Sequence, residues 1–149
     1  MAELLSRLGN RIRLLRVAYR LTRIFDSTFE PFRKSGSDLD DRLQGDELVI
    51  AYMLGVMTHL FDVYSTVGYS GRVLWKVYDR AFPGRGTEIS ELTVARVKNR
   101  NESFLRNVQI GSREARKYLA SKGTSGLPTL TSYLDEKGRD QPRIPSPSG

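Results

Sequence analysis

From Leu48 to Phe61 the chain reads LVIAYMLGVMTHLF, fourteen residues without a formal charge. A membrane span needs about 18–20 apolar residues, so this run is too short to cross a bilayer. It is apolar nearly all round, which marks a helix enclosed by others and not one lying on a surface. Asp46 and Glu47 precede it, where carboxylates complement the positive end of a helix. The reading is a central helix over about 46–66, with the other segments packed around it.

The flanking segments have helical spacing too. Residues 72–82, RVLWKVYDRAF, place Val73, Leu74, Val77, Tyr78 and Phe82 near one face, and Pro83-Gly84-Arg85-Gly86 ends them. Thr87 is read as the cap of a fourth helix, with Ile89, Leu92, Val97, Phe104, Leu105 and Val108 on its buried side. Gly111 is expected to stop that helix, and Ser112 to cap a short fifth one ending near Gly123. Pro128 suits the first position of a last short helix to Glu136.

At the other end, residues 3–25 place Leu4, Leu8, Ile12, Leu15 and Tyr19 on one face at about 100° per residue, widened by Leu14, Ala18, Leu21 and Phe25, with Arg13, Arg16, Arg20 and Arg23 on the opposite side. This is taken as the face toward the core. Asp26 and Ser27 are expected to end the helix, and Pro31, Gly36 and Gly45 to interrupt a connection over 26–45, in which Ser37 to Asp41 would cap one short turn. No alternating pattern long enough for a sheet is present. The expected fold is all-α: a compact single-domain bundle of five or six helices over 1–137, with 1–25 a basic amphipathic helix and 46–122 the core helices. Residues 138–149, with three prolines, are expected to form a flexible tail.

The chain has 149 residues, enough for one domain. It contains no cysteine, which excludes disulfides, thiol catalysis and cysteine-held zinc or iron–sulfur centres. Its net charge is +7, and the charge is uneven. Residues 1–25 carry six Arg and one Glu, a charge of +5. Residues 26–91 stand at −4, residues 92–122 at +6 and residues 123–149 at zero. Two basic segments thus flank an acidic middle.

Little catalytic chemistry is legible. The single histidine, His59, lies inside the apolar helix with no positioned partner for acid–base work. The acidic run from Asp38 to Glu47 fails calcium-loop spacing: with Asp38 at position 1, Leu43 replaces the required glycine and Val49 the final glutamate. Gly68-x-x-Gly71 and Gly84-x-Gly86 lack the lysine and spacing of a phosphate loop. The expectation is a protein without enzymatic activity, metal, cofactor or small-molecule substrate.

The function therefore has to be sought in the basic segments. An anionic partner would meet Arg13, Arg16, Arg20 and Arg23 in the first, and Arg96, Lys98, Arg100, Arg106, Arg113, Arg116 and Lys117 in the second. Three kinds of partner suit them: RNA or DNA, an anionic lipid surface, or an acidic protein. Nucleic acid is slightly favoured, because Arg, Lys and Asn are the residues that contact phosphates and base edges. Residues 112–138 loosely resemble helix–turn–helix proteins in the order of an Arg-rich helix, turn residues and a short helix, but with a long Gly-rich turn and no Arg or Lys in the second helix before Lys137. The alternative is a peripheral membrane protein, or an adaptor subunit of a larger assembly (matrix-like in a virion, or mitochondrial), using the N-terminal helix. Self-association is compatible with either. No secretory signal is legible, so an intracellular location is expected, in solution or on a membrane surface, mitochondria included.

Overall fold

The computed structural model describes residues 1–35, 43, 46–64, 66 and 71–139. Among them are six helices and no strand: α1 Ala2–Ser35, α2 Glu47–Val63, α3 Gly71–Ala81, α4 Gly86–Lys98, α5 Glu102–Ala120 and α6 Pro128–Arg139. The all-α reading is correct. The expected cap at Ser37 to Asp41, the expected breaks at Gly36 and Gly45, and the tail beyond Arg139 lie outside the described residues.

α2 is the central helix. Val49 through Met57 are all buried, as are Leu60 and Phe61. Asp46 caps it: Oδ1 accepts the backbone N–H groups of Leu48 at 3.1 Å and Val49 at 3.4 Å. Its main neighbour is α5, and the two touch backbone to backbone. A Cβ on Gly55 would lie 2.0 Å from the carbonyl oxygen of Val108, and one on Gly111 would lie 2.1 Å from that of Tyr52. Here only glycine permits the approach.

Gly111 is therefore an interior contact of α5 and does not stop a helix. The break falls earlier, at Asn99 to Asn101. Arg100 takes a left-handed φ of 50°, and the Asn101 side chain caps α5 by accepting Phe104 N–H at 2.9 Å. Thr87 is likewise not a cap. α4 begins at Gly86 behind Arg85, and the Thr87 hydroxyl accepts the Trp75 indole N–H at 3.1 Å.

Tyr78 ties three helices together. Its hydroxyl donates to the carbonyl of Ile50 at 2.8 Å and accepts from Thr93 at 3.4 Å. Two carboxylates hold α6. Glu114 Oε1 accepts the Tyr52 hydroxyl and the Thr129 N–H, both at 2.8 Å, and its Oε2 accepts the Thr129 hydroxyl. Asp46 Oδ2 accepts the Tyr133 hydroxyl. Leu127, Leu130 and Leu134 complete the seal against the core.

α1 departs most from expectation. It runs past Asp26 and Ser27 to Ser35, with Pro31 inside it. Phe29 is buried beyond the expected end, and Phe32 packs on the core, so packing favours continuing the helix. Pro31 has no N–H to give the Ser27 carbonyl one turn earlier, so the helix continues there at the cost of one hydrogen bond. The inward face is that of the expected widening residues and not of the main stripe, which Arg16 and Arg23 border instead of opposing. Val17, Ala18, Leu21, Ile24, Phe25 and Phe29 are buried, whereas Leu4, Leu8, Ile12, Leu15 and Tyr19 face outward. Before Leu14 the inward line reads Glu3, Arg7 and Asn10, residues with no apolar surface to bury. The first three turns consequently extend past the body of the bundle.

Candidate binding surface on the first helix

The outward face of α1 is an apolar ridge. Leu4 is 70% exposed, Leu5 64%, Leu15 60% and Tyr19 65%, with Leu8 and Ile12 beside them. Leu5, Leu8, Ile12, Leu15 and Tyr19 step by three and four residues alternately, so they form one continuous stripe. At 100° per residue the stripe spans about 100°. Arg16 and Arg23 border it on one side and Arg11 on the other.

A groove runs along each border. On one side Arg11, Leu14, Leu15 and Ala18 of α1 face Arg72, Val73 and Lys76 of α3 across a groove of about 360 Å³. On the other side lies a cavity of about 610 Å³. α1 contributes Arg16, Tyr19, Arg20 and Arg23; Tyr64 closes it from the end of α2, and Tyr118 and Lys122 from the end of α5. Of the basic residues over 92–122, Lys122 reaches this cavity. Arg20 Nη1 donates to the Tyr64 hydroxyl at 3.0 Å. Arg23 Nη1 reaches the Tyr19 hydroxyl at 3.4 Å, and its guanidinium carbon lies 5.7 Å from the centre of the Tyr19 ring.

Of the residues expected from sequence, Arg16, Arg20 and Arg23 share this cavity, and Arg13 is exposed on the same helix. The second set does not form one site with them. Arg96 is engaged by Glu47, with Nη2 to Oε1 at 2.6 Å. Lys98 and Arg100 are exposed at the α4–α5 turn. Arg106, Arg113, Arg116 and Lys117 lie along the exposed side of α5. The Arg-rich stretch from Ser112 belongs to the middle and end of that long helix, and a turn over 121–127 and then α6 follow it in the expected order.

Sequence reasoning missed Arg11, Arg72, Lys76 and Lys122 as the outer walls of the two grooves. Their positions depend on how α3 and α5 pack against α1, which no local pattern encodes. His59 is half-buried on α2. Burial, and then the charge of Arg116, hold its imidazole below the ordinary value of 6.5, opposed by Asp62. Among the described residues no group of three or more His, Asp or Glu side chains is placed to hold a metal ion. No described helix is long and apolar enough to cross a membrane. No family model, curated protein or solved structure matches this chain.

Proposed function

We propose that this chain is a non-enzymatic docking protein whose first helix lies on an anionic lipid surface. The observation that carries this reading is the exposed ridge of Leu4, Leu5, Leu8, Ile12, Leu15 and Tyr19 with arginines along both borders. Interfacial helices have this arrangement: the apolar face sinks to the acyl boundary while flanking cations meet the headgroups. Each Arg or Lys near an anionic surface contributes about 1 kcal/mol. The cations of the neighbouring helices, Arg72 and Lys76 on one side and Lys122 on the other, widen the basic border beyond a single helix.

Other partners use only part of this surface. A nucleic acid would engage the arginines and leave six large apolar side chains in water. A second copy of α1 packed along the ridge would set Arg11 and Arg16 against the arginines of its partner, since these residues occupy the flanking positions of the heptad. One observation favours nucleic acid elsewhere: Arg106, Arg113, Arg116 and Lys117 share the exposed side of α5. That reading predicts binding to unrelated RNA or DNA that falls with salt at a log–log slope of about −0.7 to −0.9 per phosphate neutralised.

The test is co-sedimentation with phosphatidylserine-containing vesicles, compared with phosphatidylcholine alone. Binding to the anionic vesicles is expected, with loss when Leu8, Ile12 and Leu15 are together replaced by Ser. Absence of binding at about 0.01 M salt, where the screening length is about 30 Å, would overturn the reading. So would full binding by the triple variant.

A further inference from the structure

We propose that the cavity between α1 and the C-terminal ends of α2 and α5 binds a phosphomonoester, deepening the lipid-surface reading without depending on it. Four cations line it, Arg16, Arg20, Arg23 and Lys122, and no carboxylate does. This contrasts with the treatment of arginines elsewhere in the molecule. Arg80 is paired with Asp26 at 2.8 Å, Arg85 with Glu88 at 2.6 Å and Arg96 with Glu47 at 2.6 Å. In the cavity the partners of Arg20 and Arg23 are the phenols of Tyr64 and Tyr19. A phenol orients a guanidinium but does not neutralise it. The positive charge therefore stays available in a concave, partly apolar setting, where field lines are focused.

The chemistry of the lining selects the ligand. Guanidinium groups present forked donors that match phosphate oxygens, and a phosphomonoester carries close to two negative charges at neutral pH. Tyr118 and Ser27 line the same space and add hydroxyl groups. Lys122 by itself would prove little, because the C-terminal end of a helix favours a cation in any case. The three arginines of α1 have no such reason to gather there. At about 610 Å³ the cavity is of the size that holds small ligands.

The phosphomonoester has two possible sources, a lipid headgroup or a soluble compound. Tyr19 belongs both to the ridge and to the cavity wall, so a helix lying on a membrane would bring the cavity within reach of headgroups. The experiment separates the sources. Calorimetry with inositol 1,4,5-trisphosphate reads the cavity in solution. Vesicles bearing phosphatidylinositol 4,5-bisphosphate, compared with phosphatidylserine vesicles matched in charge, read it at a surface. Binding in either arm is expected to weaken at least tenfold in an Arg20→Gln, Lys122→Gln double variant. Lys122→Gln alone, at an exposed position outside any helix, is expected to weaken it several-fold without altering the melting temperature. The Leu8, Ile12 and Leu15 to Ser variant should keep trisphosphate binding even if it leaves the vesicles, which separates failure of the cavity from failure of the ridge. Two results would overturn the proposal: no binding to trisphosphate together with no preference between the vesicles, or equal binding by the double variant.

Discussion

The hydroxyl of Tyr52 donates to Glu114 Oε1 at 2.8 Å, across 62 residues of sequence. The same carboxylate receives the N–H and hydroxyl of Thr129 at the start of α6. One acidic side chain thus links the central helix, its closest neighbour and the last helix. Replacing Glu114 with Ala should leave the phenol and the α6 N-terminus without their acceptor, at a cost of about 1–3 kcal/mol. A double-mutant cycle with Tyr52→Phe should show that the two losses do not add. Additive losses, measured by urea unfolding, would mean that the hydrogen bond contributes nothing of its own.

Raising the pH should unfold the protein through its tyrosines. Burial is the main cause that holds Tyr52, Tyr78 and Tyr133 above the usual phenol value of 10.0, with Glu114 adding to it at Tyr52 and Asp46 at Tyr133. Unfolded tyrosines release their protons first, so above about pH 10 the native state binds more protons than the unfolded one. Stability then falls as pH rises, and is fully present below that value. Urea midpoints between pH 9 and 11.5 (a range chosen around the ordinary phenol value) should decline, with a shallower slope in Tyr52→Phe. A flat profile would contradict the burial of these phenols.

His59 follows the opposite rule. Its neutral form is favoured in the fold, so its contribution is present above 6.5 and lost as the pH falls through the lowered native value. A proton NMR titration should place its midpoint below 6.5. A midpoint above 6.5 would mean that Asp62 outweighs burial and Arg116.

The two faces of α1 should respond differently to truncation. Leu21 is 0% exposed and Leu8 54%. Leu21→Ala is expected to cost about 2–5 kcal/mol, as for other buried leucines. Leu8→Ala should fall within about 0.5 kcal/mol of wild type. Similar costs at both positions would show that the ridge is covered by the protein itself.

Glycine substitutions provide a matched comparison. Gly111→Ala places a methyl against backbone, so α2 and α5 must separate, at a cost of about 1–3 kcal/mol or more. Gly9→Ala meets nothing within 4 Å in a helix interior and should stabilise by about 0.5–1 kcal/mol. Thermal melts of the two variants should move in opposite directions.

The central helix was legible because its signal is local: fourteen uncharged residues behind an acidic cap allow few other readings. The inward face of α1 was not. Two stripes with helical spacing run along that helix, and periodicity ranks neither above the other. The clue lay in the inward line, where Glu3, Arg7 and Asn10 precede Leu14, so the N-terminal turns had nothing to bury there. Gly111 was misread for a related reason. A glycine near a helix end and a glycine at a helix crossing look alike until the partner, here Tyr52, is in place. The candidate site was half legible. Its arginines on α1 stood out by charge, whereas Tyr64 and Lys122 reach it only through the packing of α2 and α5.

The contact of Gly55 and Gly111 also acts as a key in a lock. Sliding α5 by one turn along α2 would bring Asn107 or Ala115 to the place of Gly111, and either carries a Cβ that the Tyr52 carbonyl does not admit. α5 therefore has a single permitted height against the central helix. Tyr118 and Lys122, at its far end, inherit that height, and with it their spacing from Tyr64 and the arginines of α1. The width of the basic cavity is set two turns away, by two residues that have no side chain.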